Sequence, residues 1–223
     1  MKLKPARISA AQMPPRLAQS AFELFAERGF ANVNLDQIAA RAGVTKGSLY
    51  WHYRSKHELL LAACNLYYRQ WHAAVHAALA PLPDPLERLR AALAFSVASC
   101  VLDRQNRMFT ISLFMLMQED ALARAGWAQF YAAVREFYIG LVAAAQAAGR
   151  LPPGAARRRV DLMLEAMEGL KLRAGFEPQA AQPAEQQVII DSLLGIFLPQ
   201  AAQALPAGMG KTQTPRSKRT NQR

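Results

Sequence analysis

Hydrophobic positions along this chain recur at spacings of three and four, and proline, glycine and capping residues cut them into helix-length runs. Pro14 and Pro15 can open a helix at its first turn; Leu17, Ala18, Ala21, Phe22, Leu24 and Phe25 then follow one face until Gly29 supplies a stop. Asn34 with Gln37 three residues on reads as a capping box for a short second helix carrying Leu35, Ile38, Ala39 and Ala42. Gly43 suits a left-handed turn, and Thr45 caps a third helix running to about His52. Ser55 to Glu58 is a second capping box, opening a long helix to about Ala80. After PLPDP, Asp84, Pro85 and Glu87 start a fifth helix reaching about Leu102. A sixth covers roughly 107–118 and a seventh about 121–148, ended by Gly149 and the Pro152, Pro153, Gly154 cluster. An eighth spans about 155–173 with apolar residues on more than one face, and a ninth runs from about 184 to 198 before Pro199. Neither strand alternation nor an internal repeat stands out, so the expected fold class is all-α with about nine helices.

Composition narrows the class. A chain of 223 residues with 52% hydrophobic residues can bury a core, and nothing in it resembles a secretory leader or a membrane span, since Arg135 and Glu136 interrupt the most apolar region. Cys64 and Cys100 imply no disulfide framework, so the expected location is a reducing cytoplasm. The net charge of +11 is unevenly distributed. Residues 1–56 hold nine Lys/Arg against three acids, residues 57–206 hold thirteen against thirteen, and residues 207–223 hold five against none. A neutral middle between basic ends suits a polyanion such as DNA, because cations placed near phosphates release condensed counterions. The expected organisation is a basic arm over 1–13, a small basic helical domain over 14–56, a larger helical domain of balanced charge over 57–206, and a disordered basic tail over 207–223.

Residues 34–53 read as helix, three-residue turn with glycine, helix, the geometry by which a helix-turn-helix sets its second helix in the major groove. Such a helix needs small residues for close approach and donors for phosphates and base edges. Gly47 and Ser48 supply the first; Lys46, Tyr50, Trp51 and His52 supply the second. Trp51 also reads as packing beneath the motif, and His52 as a structural hydrogen-bond donor.

The stretch FELFAERGFANVNLDQIAARAGVTKGSLYWHYRSKHELL, Phe22 to Leu60, closely resembles the N-terminal domain of the TetR (tetracycline repressor-like) family of bacterial transcriptional regulators. Phe25, Gly29 with Phe30, Ile38 with Ala39, Ala42 to Thr45, Gly47 with Ser48, Tyr50, His52 with Tyr53, and Lys56 fit its pattern. Asn34 stands where Ser or Thr is usual and keeps the cap; Tyr53 stands where Phe is commoner and keeps the ring. The resemblance implies that Thr45, Lys46, Ser48, Tyr50 and Lys56 hold phosphates and that Gly47, Trp51 and His52 face the groove, with Asn34 at the edge of the same set. It covers about forty of 223 residues, so operator and ligand cannot be carried over from it.

Met108 to Tyr138 concentrates methionines and aromatic rings. That concentration reads as packing or, with the family resemblance, as the wall of an apolar ligand cavity whose expected lining is Tyr67, Trp71, Phe95, Ser99, Met115, Trp127, Tyr131 and Met163. Val160, Leu164, Met167, Val188, Leu193 and Ile196 on helices eight and nine offer surplus apolar surface and are the expected homodimer interface. His72 and His76, one turn apart, lack a third metal ligand, and GMGK at Gly208 lacks the spacing of a phosphate loop. No metal, cofactor or enzyme activity is expected. The leading expectation is a dimeric repressor released from a palindromic operator on double-stranded DNA by a small hydrophobic or aromatic effector. A constitutive DNA-binding regulator is the alternative, and a helical-bundle enzyme the third reading.

Overall fold

The structure, a computed structural model, describes residues 11–198. The expected basic arm, apart from residues 11–13, and the expected basic tail lie outside the described residues. Nine α-helices make up the described fold, with no strand among these residues: α1 (Met13–Arg28), α2 (Leu35–Ala42), α3 (Lys46–His52), α4 (Lys56–Leu79), α5 (Pro85–Ser96), α6 (Arg104–Met117), α7 (Ala121–Ala147), α8 (Ala156–Arg173) and α9 (Gln186–Gly195). None of these helices is long and apolar enough to cross a membrane.

The caps form as local chemistry dictates. The Asn34 side chain accepts from the Gln37 N–H while the Gln37 side chain accepts from the Asn34 N–H. Thr45 accepts from Ser48, Ser55 from Glu58, and Asp84 from both Leu86 and Glu87. The Ser55 box closes differently from expectation. The Glu58 carboxylate turns back past Ser55 to the Arg54 N–H, 2.8 Å away.

The fifth helix departs further. Its α-helical part ends at Ser96 and continues as a π-turn over Val97–Leu102, and α6 begins at Arg104, earlier than the apolar pattern indicates. The Asp103 N–H reaches back five residues to the Ala98 carbonyl. Side chains of the following helix hold the widened turn open: Asn106 donates to the Ser99 carbonyl at 2.8 Å, and the Arg107 guanidinium donates to the carbonyls of Val101 and Leu102. The ninth helix is also shorter than expected, because short 3-10 turns over Pro178–Ala181 and Pro183–Glu185 occupy its approach.

Two apolar clusters organise the chain. One joins α1, α2, α3 and the start of α4 through Leu17, Phe22, Phe25, Ile38, Leu49 and Leu59. It is completed by Phe109, Leu113 and Met117 of α6 and Trp127 of α7, with the Phe22 and Phe109 rings 4.5 Å apart. The other joins the second half of α4 to α5, α7, α8 and α9 through Trp71, Val75, Leu93, Tyr138, Val142, Met163 and Leu193. Helix α4 contributes to both. The three-helix N-terminal unit therefore rests on α6 rather than standing free.

Candidate DNA interface and effector cavity

Helices α2 and α3 meet at Gly43, whose φ of 68° is the left-handed conformation that favours glycine. Its N–H donates to the Ala40 carbonyl, and the Val44 N–H to that of Ala39. Arg16 locks the turn from α1, its Nε donating to the Ala42 carbonyl at 2.6 Å. The Tyr53 hydroxyl ties the end of the motif to the Pro14 carbonyl at 3.2 Å. Leu49, fully buried, anchors α3. The opposite face of α3 is open.

That open face carries Thr45, Lys46, Gly47, Tyr50 and Trp51, with Ser48 and His52 half-buried at its margin and Asn34 exposed nearby. Trp51 is 79% exposed, so it does not pack beneath the motif; its ring meets the edge of His52, centroids 4.6 Å apart. Gly47 has no positive φ, and an added Cβ there would meet only Thr45 Oγ1, at 4.0 Å. The fold itself does not require glycine at this helical position, where glycine costs about 1 kcal/mol relative to alanine. Lys46 lies over the Tyr50 ring and pairs with Asp36 at 2.9 Å, both side chains well exposed.

Lys56 is placed otherwise than as a free phosphate ligand. Its Nζ donates to the Phe30 carbonyl at 2.8 Å and the Val33 carbonyl at 2.9 Å, and sits 4.3 Å over the Phe30 ring. Burial draws its pKa below the usual lysine value. The ammonium holds the loop between α1 and α2.

The next residue of α4, His57, contacts the carboxylate of Asp120, the N-cap of α7, through Nε2. Farther along α4, Tyr67 and Trp71 enter a cavity also lined by Ser96, Cys100, Thr110, five side chains of α7 (Trp127, Phe130, Tyr131, Val134 and Tyr138), and four of α8 (Leu164, Met167, Glu168 and Lys171). Its free volume is about 30 Å³. Of the expected lining, Tyr67, Trp71, Trp127 and Tyr131 are in place. The rest need correction. Met115 points outward, 72% exposed, because α6 gives its inner faces to Phe109 and Thr110. Phe95 and Met163 belong to the neighbouring apolar cluster, and the Ser99 hydroxyl is spent on the Phe95 carbonyl at 2.8 Å.

Sequence reading missed the cavity's polar floor. Lys171 Nζ donates to Glu168 Oε1 at 2.8 Å, with the two side chains only 7% and 15% exposed, and the Tyr131 hydroxyl donates to the same oxygen at 3.0 Å. Among the described residues, Glu168 Oε2 and Trp71 Nε1 are buried without a hydrogen-bond partner. The Tyr138 hydroxyl is shared between Ser96 Oγ and the Ala92 carbonyl, and the Tyr67 hydroxyl lies 3.2 Å from Cys100 Sγ. Burial pushes the phenols of Tyr67, Tyr131 and Tyr138 well above their ordinary value, and that of the Cys64 thiol up to about 12. The one signal available in sequence was a Glu-x-x-Lys pair inside a helix otherwise read as apolar on both sides.

The expected dimer set is also corrected. Val160, Leu164, Met167 and Leu193 are buried inside the chain's own core, with α5, α7 and the π-turn already covering them. Surface remains at exposed Val188, half-buried Ile196, and Leu162 and Leu172 of α8. An open groove between α8 and α9 runs past Ala166, Gly169, Val188 and Ser192. The His72 and His76 rings lie 4.2 Å apart, and no group of three or more potential metal-ligating His, Cys, Asp or Glu residues occurs among the described residues.

Comparison with known proteins agrees with this geometry. Residues 17–63 match the family described as bacterial regulatory proteins, tetR family. The transcriptional activator FasR of Mycolicibacterium smegmatis is 41% identical over 78 residues, 35% of this chain and 36% of that protein. The chain matches between 18% and 44% of the length of curated relatives of this kind. Among solved structures, a protein of Saccharomonospora viridis in complex with choline superposes with a TM-score of 0.73 at 17% identity, covering 83% of this chain and 96% of that one. The regulator FadR of Bacillus subtilis in complex with stearoyl-CoA superposes at 0.71 with 15% identity, over 82% and 98%. Residues 17–63, with their capped helix-turn-helix, are therefore similar to the N-terminal domain of the tetR family of bacterial regulatory proteins, and the helical fold behind them is shared with the solved structures.

Proposed function

We propose that the protein is a dimeric transcriptional regulator that grips a palindromic operator with α3 of each copy and releases it when a small molecule enters the cavity. The observation that carries this reading is the course of α4. It starts against the DNA-binding unit at Lys56, touches Asp120 through His57, and lines the cavity with Tyr67 and Trp71. Helix α6 offers a second link, with Phe109 in the N-terminal cluster and Thr110 on the cavity wall.

Phosphate contacts are assigned to Thr45, Lys46, Ser48 and Tyr50, groove contacts to Gly47, Trp51 and His52, and contacts at the margin to Asn34 and, once freed from its carbonyls, Lys56. The unforced glycine at 47 and the bare Trp51 support a surface shaped for something outside the chain. The dimer contact is assigned to the groove between α8 and α9, where two-fold symmetry would set the recognition helices about 34–36 Å apart, one turn of DNA.

A cavity of about 30 Å³ holds one water but not a ring, since an apolar cavity that takes up benzene measures about 150 Å³. An effector must therefore spread α4, α7 and α8, and that displacement is what would tilt α3. Every 1.4 kcal/mol or so of preference for the spread state weakens operator binding tenfold, and operator must weaken the effector equally. The complexes of the two structural neighbours with choline and stearoyl-CoA support small-molecule binding by a protein of this fold. The activator among the relatives leaves the sign of regulation to experiment.

The small free volume equally favours a second reading, a constitutive regulator. Genomic capture of bound DNA, followed by a screen of small molecules for release of that DNA, separates the two. Release with reciprocal coupling supports the first reading, and a broad panel without a releasing compound supports the second.

A further inference from the structure

The cavity floor distinguishes among effectors by charge. The carboxylate of Glu168 is already neutralised by Lys171 at 2.8 Å and by the Tyr131 hydroxyl, and among the described residues no other charged side chain lines the cavity. A cation or anion entering this space would lose its water without gaining an unpaired counter-charge, a loss of several kcal/mol for a buried ion. A neutral molecule avoids that loss. Meanwhile the site keeps two unmet hydrogen-bond functions of opposite kind, the Trp71 indole N–H as donor and Glu168 Oε2 as acceptor. Trp71 is itself 6% exposed. An effector that fills this space displaces any water bridging the two groups, and leaving them unpaired is unfavourable, so an effector that meets both is selected.

We infer that the effector is a compact neutral molecule, an aromatic or branched aliphatic body bearing a hydroxyl or equivalent group that donates to Glu168 and accepts from Trp71. This rests on reading the cavity as an effector site. Trp127, Phe130, Tyr131 and Val134 would flank the body, while Tyr138, held by Ser96 and Ala92, closes the far side. The inference runs against the charged molecules seen with the two structural neighbours, and the ion pair on α8 is the reason.

The test uses four probes of one shape on the full chain: 4-ethylphenol, 4-ethyltoluene, 4-ethylbenzoate and 4-ethylbenzylammonium, followed by calorimetry and thermal shift. The phenol is expected to bind most tightly. Trp71→Phe keeps the ring and removes the N–H; it should weaken the phenol roughly three- to tenfold and leave 4-ethyltoluene unchanged. Lys171→Met leaves Glu168 uncompensated and should shift preference to the ammonium probe; Glu168→Gln should shift it to the benzoate. Tighter binding of either charged probe to the unmutated protein, equal loss of phenol and toluene affinity in Trp71→Phe, or no binding by any probe overturns the inference. The effector reading is judged separately, by whether any compound of the broad panel lowers operator affinity.

Discussion

Replacing Lys56 by methionine keeps the apolar stem and removes the ammonium, which separates two roles assigned to one side chain. In the structure that ammonium donates to the Phe30 and Val33 carbonyls and lies over the Phe30 ring. Hydrogen bonds from a charged donor contribute about 1.5–3 kcal/mol each when buried. Lys56 is only half-buried, so water takes over part of both bonds and the net loss should be about 1–2 kcal/mol. For a chain of this size that corresponds to a Tm lower by roughly 2–8 °C. The Phe30 loop orients α2, so operator affinity should fall with it, and part of that fall should persist at high salt. The parallel variant Lys46→Met removes an exposed ammonium paired with exposed Asp36; it should leave Tm unchanged and lower the salt slope of DNA binding by about one unit. Thermal denaturation and operator titrations at several salt concentrations measure both quantities. A Lys56→Met protein with unaltered stability and a salt slope lower by one would refute the structural role.

Asp36→Asn should raise operator affinity at every salt concentration, because it frees Lys46, with stability changed by less than about 0.5 kcal/mol; unchanged or weaker binding in a mobility-shift titration contradicts that. Val188→Glu, on the exposed groove, should give a folded monomer by sedimentation and circular dichroism, whereas Leu193→Glu, buried within the chain, should lose the fold itself. The Asp120 carboxyl is held below the usual carboxylate range chiefly by the Ala123 N–H and then by His57. Its contribution is therefore fully present above about pH 4 and is lost as pH falls through its lowered value. Asp120→Asn, which retains a cap, should flatten the acid limb of a stability-against-pH curve, and an unchanged limb would count against the Ala123 and His57 contacts together.

Local chemistry made much of the fold readable. Asn34, Thr45, Ser55 and Asp84 each cap a helix within three residues of themselves, so the beginnings of α2 to α5 followed from short stretches alone. The π-turn did not, because the groups that stabilise its carbonyls, Asn106 and Arg107, come from the next helix. Lys56 looked like a free cation because its partners lie 23 and 26 residues away. In α8, apolar spacing alone does not rank Glu168 above Glu165; Tyr131 from α7 and Lys171 one turn on receive Glu168, which turns inward while Glu165 stays exposed. The same reason separates Met115 from Thr110 on α6, a helix packed on two sides whose apolar stripe is too broad to name one inner face.

The chain's three tryptophans fall on the two ends of this arrangement: Trp51 stands bare on α3, while Trp71 and Trp127 face each other's surroundings in the cavity. An indole in water emits to the red of one held among apolar side chains, so the protein carries its own pair of spectroscopic reporters. With Trp51→Phe, emission comes from the cavity alone. With Trp71→Phe and Trp127→Phe together, it comes from the recognition helix alone. Unlabelled protein can thus report effector occupancy in the Trp51→Phe variant and operator occupancy in the doubly substituted one, each at the end whose tryptophans are intact.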